Sequence, residues 1–292
     1  MIHTLIVISN SSNPYNNHTI EEILLTEFKE YSRIFFMWKN EPSIVFGRNQ
    51  NPWKEIYVNR AVENGVHLIR RLSGGGTVYH DLGNLNFSFI ESNGRYDEYF
   101  HFEMIIDALK QLGINLELNK RKDLLIEGKK VSGNAFYLKG NRRLHHGTLL
   151  VSSDLSRLWG LLKRKESKII TKGISSVTSE VTSLKAYKSD LTIQAVQNKL
   201  VDQFYRMHEN EVDILTLDEI VSSYSVQHKN ITERLKSWAW TYGETPPFVY
   251  KLDESNQVKI ANGYVEEIIG FENKNIGSLS GAIRFNDQFK EV

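Results

Sequence analysis

The residues best suited to chemistry gather in two stretches. The first, RRLSGGGTVYHDLGN (Arg70 to Asn84), sets two arginines before three consecutive glycines and then runs through His80 and Asp81 into a turn. Three adjacent glycines, out of 19 in 292 residues, let the backbone take positive φ and bring N–H groups to a ligand with no Cβ in the way. That suits a phosphate. The stretch fits neither common phosphate fingerprint, because no Lys-Ser or Lys-Thr follows and the next element reads as a strand, not a helix. By themselves the glycines could equally form a bulge or a sharp corner in a sheet. The second stretch, GKKVSGNAF (Gly128 to Phe136), places a lysine beside a Ser-Gly turn. Neighbouring side chains on a strand point to opposite faces, so only one of Lys129 and Lys130 can share a site with the glycine loop.

Other candidates carry less. His80-Asp81 and His145-His146 contain metal-ligand types, but adjacent residues on a strand diverge and no third ligand is evident, so they read as structural or pocket-lining. KRKESK (Lys163 to Lys168) and KGNRR (Lys139 to Arg143) read as solvated faces, and Trp238 and Trp240 as core. The absence of cysteine excludes a thiolate nucleophile, a disulfide or a Cys-ligated zinc. Lysine plus arginine number 36 against 35 for aspartate plus glutamate, so no global charge points to a nucleic acid or an anionic membrane. No apolar run approaches the roughly 20 residues of a membrane span. The first residues, MIHTLIVISNSS, are too short and too weakly basic for a signal peptide, and a cytoplasmic protein is expected.

The elements that must position these residues alternate between strand and helix patterns. TLIVIS, RIFFMWK, SIVFGR, HLIRRLS, Thr77 to His80 and NFSFIE read as strands, with turn chemistry at Asp81 to Asn84. Thr19 to Glu22 has capping-box spacing for a helix to about Glu30, and Pro52 to Asn64 reads as one helix stopped by Gly65. A helix from Tyr99 to Leu112 ends at Gly113. Strands follow at Asn115 to Leu118, Asp123 to Ile126, Lys130 to Leu138 and Leu144 to Val151, with Gly128 and Gly140-Asn141 as turns. Helical patterns cover Leu155 to Leu162, Ile193 to His208 and Ile231 to Trp238. After Pro246-Pro247 short strands resume (VYKLDE, QVKIAN, YVEEII), which places a large domain over residues 1–247 and a small one over 248–292.

With these segments in view, the sequence resembles the lipoate–protein ligase A family. GRNQNPWKE (Gly47 to Glu55), RRLSGGGTVYHDLGNLNFSF (Arg70 to Phe89), DLLIEGKKVSGNAF (Asp123 to Phe136), HHGTLLVSSDLSRL (His145 to Leu158), KGISSVTSEVTSL (Lys172 to Leu184) and SWAW (Ser237 to Trp240) appear in family order. The resemblance implies an α/β (α+β) architecture, the biotin/lipoate ligase catalytic fold with a mixed sheet flanked by helices. It also implies a C-terminal accessory domain, shortened here. Glu180 stands where the family commonly has arginine, and Ser183 where it has asparagine.

The activity implied is ATP-dependent attachment of lipoate to a lysine of a carrier domain. A carboxylate is a poor electrophile, so lipoate attacks the α-phosphate of ATP to give lipoyl-AMP and pyrophosphate, and the carrier lysine then displaces AMP. Negative charge develops on oxygen in both steps, which a fixed cation stabilises. By resemblance that cation is Lys130. Arg71, Gly75, Gly76, Thr77, Val78 and Tyr79, together with Lys130 and Asp123, are implied to hold ATP. Lys130, Arg71, Ser73 and His80 are implied to bind lipoate, and Asp123 to partner Lys130 or Mg²⁺. The implied partners are lipoyl domains of 2-oxo acid dehydrogenase complexes or the glycine cleavage H protein. Such domains are typically acidic, and Lys139 to Arg143 is the basic patch nearest in sequence to the lysine strand. Two other classes share the fold: a lipoyl or octanoyl transferase acting without ATP, and a non-catalytic binder of lipoate or nucleotide. Transferases that form a thioester on cysteine are excluded by the composition.

Overall fold

The apolar runs pair into four sheets in the computed structural model, which describes residues 3–156, 160–162, 168–208, 212–270 and 283–288. Contacts divide the chain into two units, one of residues 1–42, 80–155 and 179–232, the other of residues 43–79, 156–178 and 233–292.

The first unit is built on a six-stranded mixed sheet. Strands β1 (Thr4–Ile8), β2 (Arg33–Trp38), β6 (Asn84–Ser92), β10 (Asn134–Lys139), β11 (Arg142–Leu150) and β13 (Asp213–Leu215) lie in the order β10-β11-β6-β2-β1-β13. β1 runs parallel to β2 and β13, and the other pairs are antiparallel. Alternation sorts the side chains into layers. Phe35, Met37, Phe87 and Phe89 join Phe102, Ile105 and Leu109 of α4 (Glu98–Lys110) and Val196, Leu200 and Phe204 of α5 (Ile193–Met207) in one core. Trp38 and Ser88 face the other way and meet His18 and Glu21 of α1 (Pro14–Thr26). A three-stranded sheet of β7 (Glu117–Leu118), β8 (Leu124–Ile126) and β9 (Lys129–Ser132) completes the unit's strands.

The second unit packs around Trp53, with the rings of Tyr242, Phe248 and Phe285 each 5.3 Å from it between centroids. Its strands are β3 (Ser43–Phe46), β4 (His67–Arg70) and all but the last residue of β5 (Val78–His80), in the order β4-β3-β5, and an antiparallel sheet β12-β14-β15-β16. The latter comprises Ile169–Thr171, Phe248–Lys251, Gln257–Ala261 and Tyr264–Ile269. The strands after residue 248 therefore group with residues 43–79 and 156–178. Among the described residues, no helix is long and apolar enough to cross a membrane.

Several expected elements are differently bounded. α1 starts at Pro14, five residues before the expected capping box, because Asn13 caps it through Asn16 N–H at 3.1 Å and Pro14 supplies a preset φ. Thr19 is instead a buried interior residue whose hydroxyl meets that of Thr232 at 2.9 Å. The expected helix over Pro52–Asn64 breaks into α2 (Pro52–Glu55) and α3 (Val58–Glu63): Ile56 bridges Leu162 and Tyr57 N–H donates to Leu161 C=O at 2.9 Å. The expected strand from Lys130 to Leu138 divides at Gly133 into β9 and β10. Of the helix expected over Leu155 to Leu162, residues 157–159 lie outside the described residues, and so does the KRKESK run apart from Lys168. Within the KGNRR run, Lys139 and Arg143 are exposed but Arg142 is buried, its Nη1 donating to Tyr31 C=O at 2.5 Å.

Candidate active site

In the second unit the glycine loop is organised from within by Arg71. Its guanidinium is buried and donates to Val45 C=O (3.1 Å), Ser73 Oγ (3.0 Å), Gly74 C=O (2.6 Å) and Gly76 C=O (2.7 Å). A trans peptide sets its N–H opposite its C=O, so turning Gly74 C=O onto Arg71 turns the Gly75 N–H away from it. Gly75 is exposed and has φ +90°, a conformation that favours glycine. The backbone of the preceding turn lies against the loop: Arg48 N–H donates to Ser73 C=O at 2.8 Å, and a Cβ on Gly47 would stand 2.2 Å from Gly75 C=O.

Thr77 is tied into a polar network. Its N–H donates to Ser176 Oγ at 2.9 Å and its hydroxyl to Gln50 Oε1 at 3.0 Å, while Gln50 Nε2 donates to Ser176 Oγ at 3.0 Å. Glu55 accepts the Ser176 N–H at 3.2 Å. Val78 is half-buried and Tyr79 enters the core of the unit. The neighbouring Arg70 serves a different purpose. Fully buried, it donates to the carbonyls of Arg48, Gln50, Trp240 and Thr241 and to Thr245 Oγ1, and burial, with Arg48 nearby, pulls its pKa down to about 9. Trp240 is buried, and its indole N–H donates to Arg70 C=O at 2.7 Å.

In the first unit Lys130 and Asp123 come together. Lys130 Nζ lies 2.6 Å from Asp123 Oδ1, with about a fifth (21%) of the lysine side chain exposed. The ammonium crosses Gly133 so closely that a Cβ there would be 3.1 Å from Nζ. Lys130 also pairs through its backbone with the Lys172 to Leu184 segment, donating to Glu180 C=O and accepting from Thr182 N–H, both at 2.9 Å. Lys129 points elsewhere, to Glu180 Oε1 at 3.4 Å, and both of those side chains are exposed. The opposite facing expected for the paired lysines is thus observed. Asp123 fits a divalent cation poorly. Its Oδ1 already holds Lys130, and Oδ2 faces Asn119 Nδ2 at 3.4 Å and Arg121 Nε at 4.0 Å, so an added cation would meet positive and N–H groups.

His80 belongs to another set of side chains in this unit. It is buried, with Nδ1 3.1 Å from Asn40 Nδ2 and its ring edge-on to Trp38. Close to Trp38 lies an acid–imidazole cluster that the sequence reading missed. Glu21 accepts from Ser88 Oγ at 2.5 Å and lies 2.8 Å from His146 Nδ1 and 3.7 Å from His18 Nδ1. Burial pushes the Glu21 carboxyl up, but the two histidines outweigh it and hold it below the usual carboxylate range. The structure thus assembles Arg71, Ser73, Gly75, Gly76 and Thr77 in one unit, and Lys130 with Asp123 in the other. Gly47, Gln50, Gly133 and Ser176 lie inside the quoted segments, yet nothing in their residue types singled them out. Their importance rests on backbone approach and cross-chain hydrogen bonds.

Residues 13–205 match the family described as the lipoyl protein ligase A/B catalytic domain. The lipoate–protein ligase A of Blochmanniella floridana is 36% identical over 261 residues, 87% of this chain and 76% of that protein. Among solved structures, P. falciparum LipL1 in complex with lipoate matches with a TM-score of 0.73 at 25% identity, over 91% of this chain and 84% of that one. A lipoate–protein ligase A bound with ATP matches with a TM-score of 0.66 at 24% identity, over 82% of this chain and 97% of that one. The mixed sheet flanked by helices is therefore the lipoate–protein ligase fold, and the chain belongs to the lipoyl protein ligase A/B family.

Proposed function

We propose that the chain is a cytoplasmic lipoate–protein ligase that activates lipoate with ATP and transfers the lipoyl group to a lysine of a carrier domain. The observation that carries this reading is its identity to a lipoate–protein ligase A along most of its length. The glycine loop, stiffened by Arg71, offers the outward Gly75 N–H to ATP, and Gly76, Thr77, Val78 and Tyr79 continue that binding segment. Ser73 acts through Arg71, and His80 is assigned to the acyl end of lipoate. Lys130 supplies the cation for the α-phosphate and then for the carbonyl of the adenylate. Asp123 orients that ammonium until a more negative partner arrives.

Magnesium, which accompanies ATP, is assigned to the oxygens of the triphosphate itself; no step is routed through Asp123. Residues 248–292 are assigned an accessory role. The carrier is proposed to be a lipoyl domain of a 2-oxo acid dehydrogenase complex or the glycine cleavage H protein.

Release of pyrophosphate from ATP tests the reading. It should appear on adding lipoate, before any carrier is present, and lipoylated carrier should then accumulate with AMP. Transfer of an acyl group between carriers without ATP would instead identify a transferase, and binding of lipoate with neither product would identify a binder.

A further inference from the structure

The first unit contains a buried chain of polar side chains that ends beside Lys130. Asn134, at the start of β10, donates from Nδ2 to Lys122 C=O at 2.8 Å and to Ser132 Oγ at 3.2 Å. The first bond grips the peptide joined to Asp123, at a corner where Lys122 has φ +61°, and the second grips the strand that carries Lys130. With Nδ2 so placed, Asn134 Oδ1 faces His145 Nε2 at 3.0 Å. His145 Nδ1 in turn lies 3.1 Å from His101 Nδ1, and His101 Nε2 lies 3.3 Å from Glu91 Oε2. Glu91 also pairs with Arg33 and accepts the Asp97 N–H at 3.2 Å. Glu91, His101 and His145 are all completely buried.

We infer that Asn134 is a positioning residue for Lys130, and that its amide is held in the working orientation by an N–H of His145. This rests on the assignment of Lys130 made above.

The inference follows from counting hydrogens. Lys122 C=O can only accept, so Asn134 must present its NH₂ there and its oxygen to His145. His145 Nε2 must then carry a hydrogen. Burial first, then the charges of His101, His146 and Lys122, hold the His145 pKa well below its ordinary value, so the ring is neutral and Nδ1 is bare. His101 Nδ1 must therefore donate. Burial lowers the His101 pKa as well, so that ring is neutral too, and its Nε2, 3.3 Å from Glu91 Oε2, makes no hydrogen bond among the described residues. Around this pair, Arg33 reaches Glu91 from β2 and meets His208 Nε2 at 2.7 Å, Asp97 caps the helix carrying His101, Tyr96 stands edge-on to His101, and Phe89 stacks on it with ring centroids 4.2 Å apart.

Steady-state adenylation, followed by pyrophosphate release, tests the chain. Asn134→Ala should lower kcat by roughly 10- to 100-fold, the scale of a misplaced catalytic group, with the KM for lipoate and ATP nearly unchanged. His145→Gln offers Asn134 an N–H donor at every pH. It should retain kcat within about threefold. In the wild-type protein, two-bond ¹H–¹⁵N spectra should show His145 protonated on Nε2 near neutral pH. An Nδ1-protonated His145, or a folded His145→Gln variant that loses kcat as Asn134→Ala does, overturns the inference. Lys130→Ala separates it from the assignment beneath it. If Lys130→Ala adenylates at the wild-type rate, the role of Lys130 fails and the inference falls with it. If Lys130→Ala is inactive while folded Asn134→Ala keeps wild-type kcat, only the positioning inference fails.

Discussion

Arg71 and Lys130 are both cations held beside a glycine, but they are held differently. Arg71 donates to three carbonyls and to the hydroxyl of Ser73. Lys130 rests on one carboxylate at 2.6 Å and keeps part of its side chain in solvent. Such bonds fix the guanidinium in place and stiffen the glycine loop around it. A carboxylate cancels most of a lysine's charge until a stronger anion competes for it. The comparison assigns shape to the arginine and exchange to the lysine. Chemistry in which charge develops and moves needs the second kind of cation.

The sharpest way to break this comparison is at the lysines. Lys130→Ala should slow formation of lipoyl-AMP by at least the roughly 10²- to 10³-fold typical of losing one oxyanion donor. Lys129→Ala removes only an exposed pair with Glu180 and should stay within about twofold of wild type, because such pairs contribute little. Comparable losses in both variants, measured by pyrophosphate release, would end the claim that facing decides function. Asp123→Asn sharpens the point. If the carboxylate only orients the ammonium, the loss should be smaller than that of Lys130→Ala.

The glycines come next in size. A Cβ at Gly47 would overlap Gly75 C=O, whereas a Cβ at Gly74 meets nothing within 4 Å. Gly47→Ala must therefore displace the loop backbone, and ATP affinity by calorimetry should fall about tenfold or more, on the scale of misplacing a binding group. Gly74→Ala should bind ATP almost as the wild type does. Equal affinities would show that the loop does not depend on this backbone contact.

Much of this was legible in the sequence where the signal is local. Alternating apolar runs gave the strands, and the turns at Gly113, Gly128 and Gly140 have the positive φ that their positions suggested. The facing of Lys129 and Lys130 followed from strand geometry alone. What escaped depended on partners distant in sequence. Ile56 leaves the expected helix because Leu162 pairs with it, and Arg142 is buried because Tyr31 C=O receives it. The start of α1 was a different kind of miss: Asn13-Pro14 is a local signal, and the capping-box spacing at Thr19 competed with it. In the site, Gln50, Ser176 and the chain from Glu91 to Asn134 are built from common polar residues, whose significance rests on hydrogen bonds that no spacing rule encodes.

The smallest expected effect concerns the carrier, and here the structure changes the test. The basic patch expected over Lys139 to Arg143 contains Lys139 and Arg143 at its surface, but not Arg142. Burial lowers the Arg142 pKa, and Arg142→Glu would bury a carboxylate against Tyr31 C=O, so its effect would be loss of fold stability. Arg143 is the variant that isolates charge. It is exposed, its Nε donates to Asn93 Oδ1 at 2.6 Å, and its guanidinium lies 5.0 Å from the centre of the Tyr96 ring. If an acidic carrier approaches this face, Arg143→Glu should raise the KM for the carrier by about two- to fivefold at low salt, through encounter and not chemistry. Exposed charges are screened beyond about 8 Å at physiological ionic strength, so the difference should shrink as salt is added. Lipoyl-AMP formation without carrier should be unaffected. A carrier KM equal to wild type at low salt would remove this face from the encounter, and a loss of adenylation in a folded Arg143→Glu would place Arg143 with Lys130, on the side of the comparison that does chemistry.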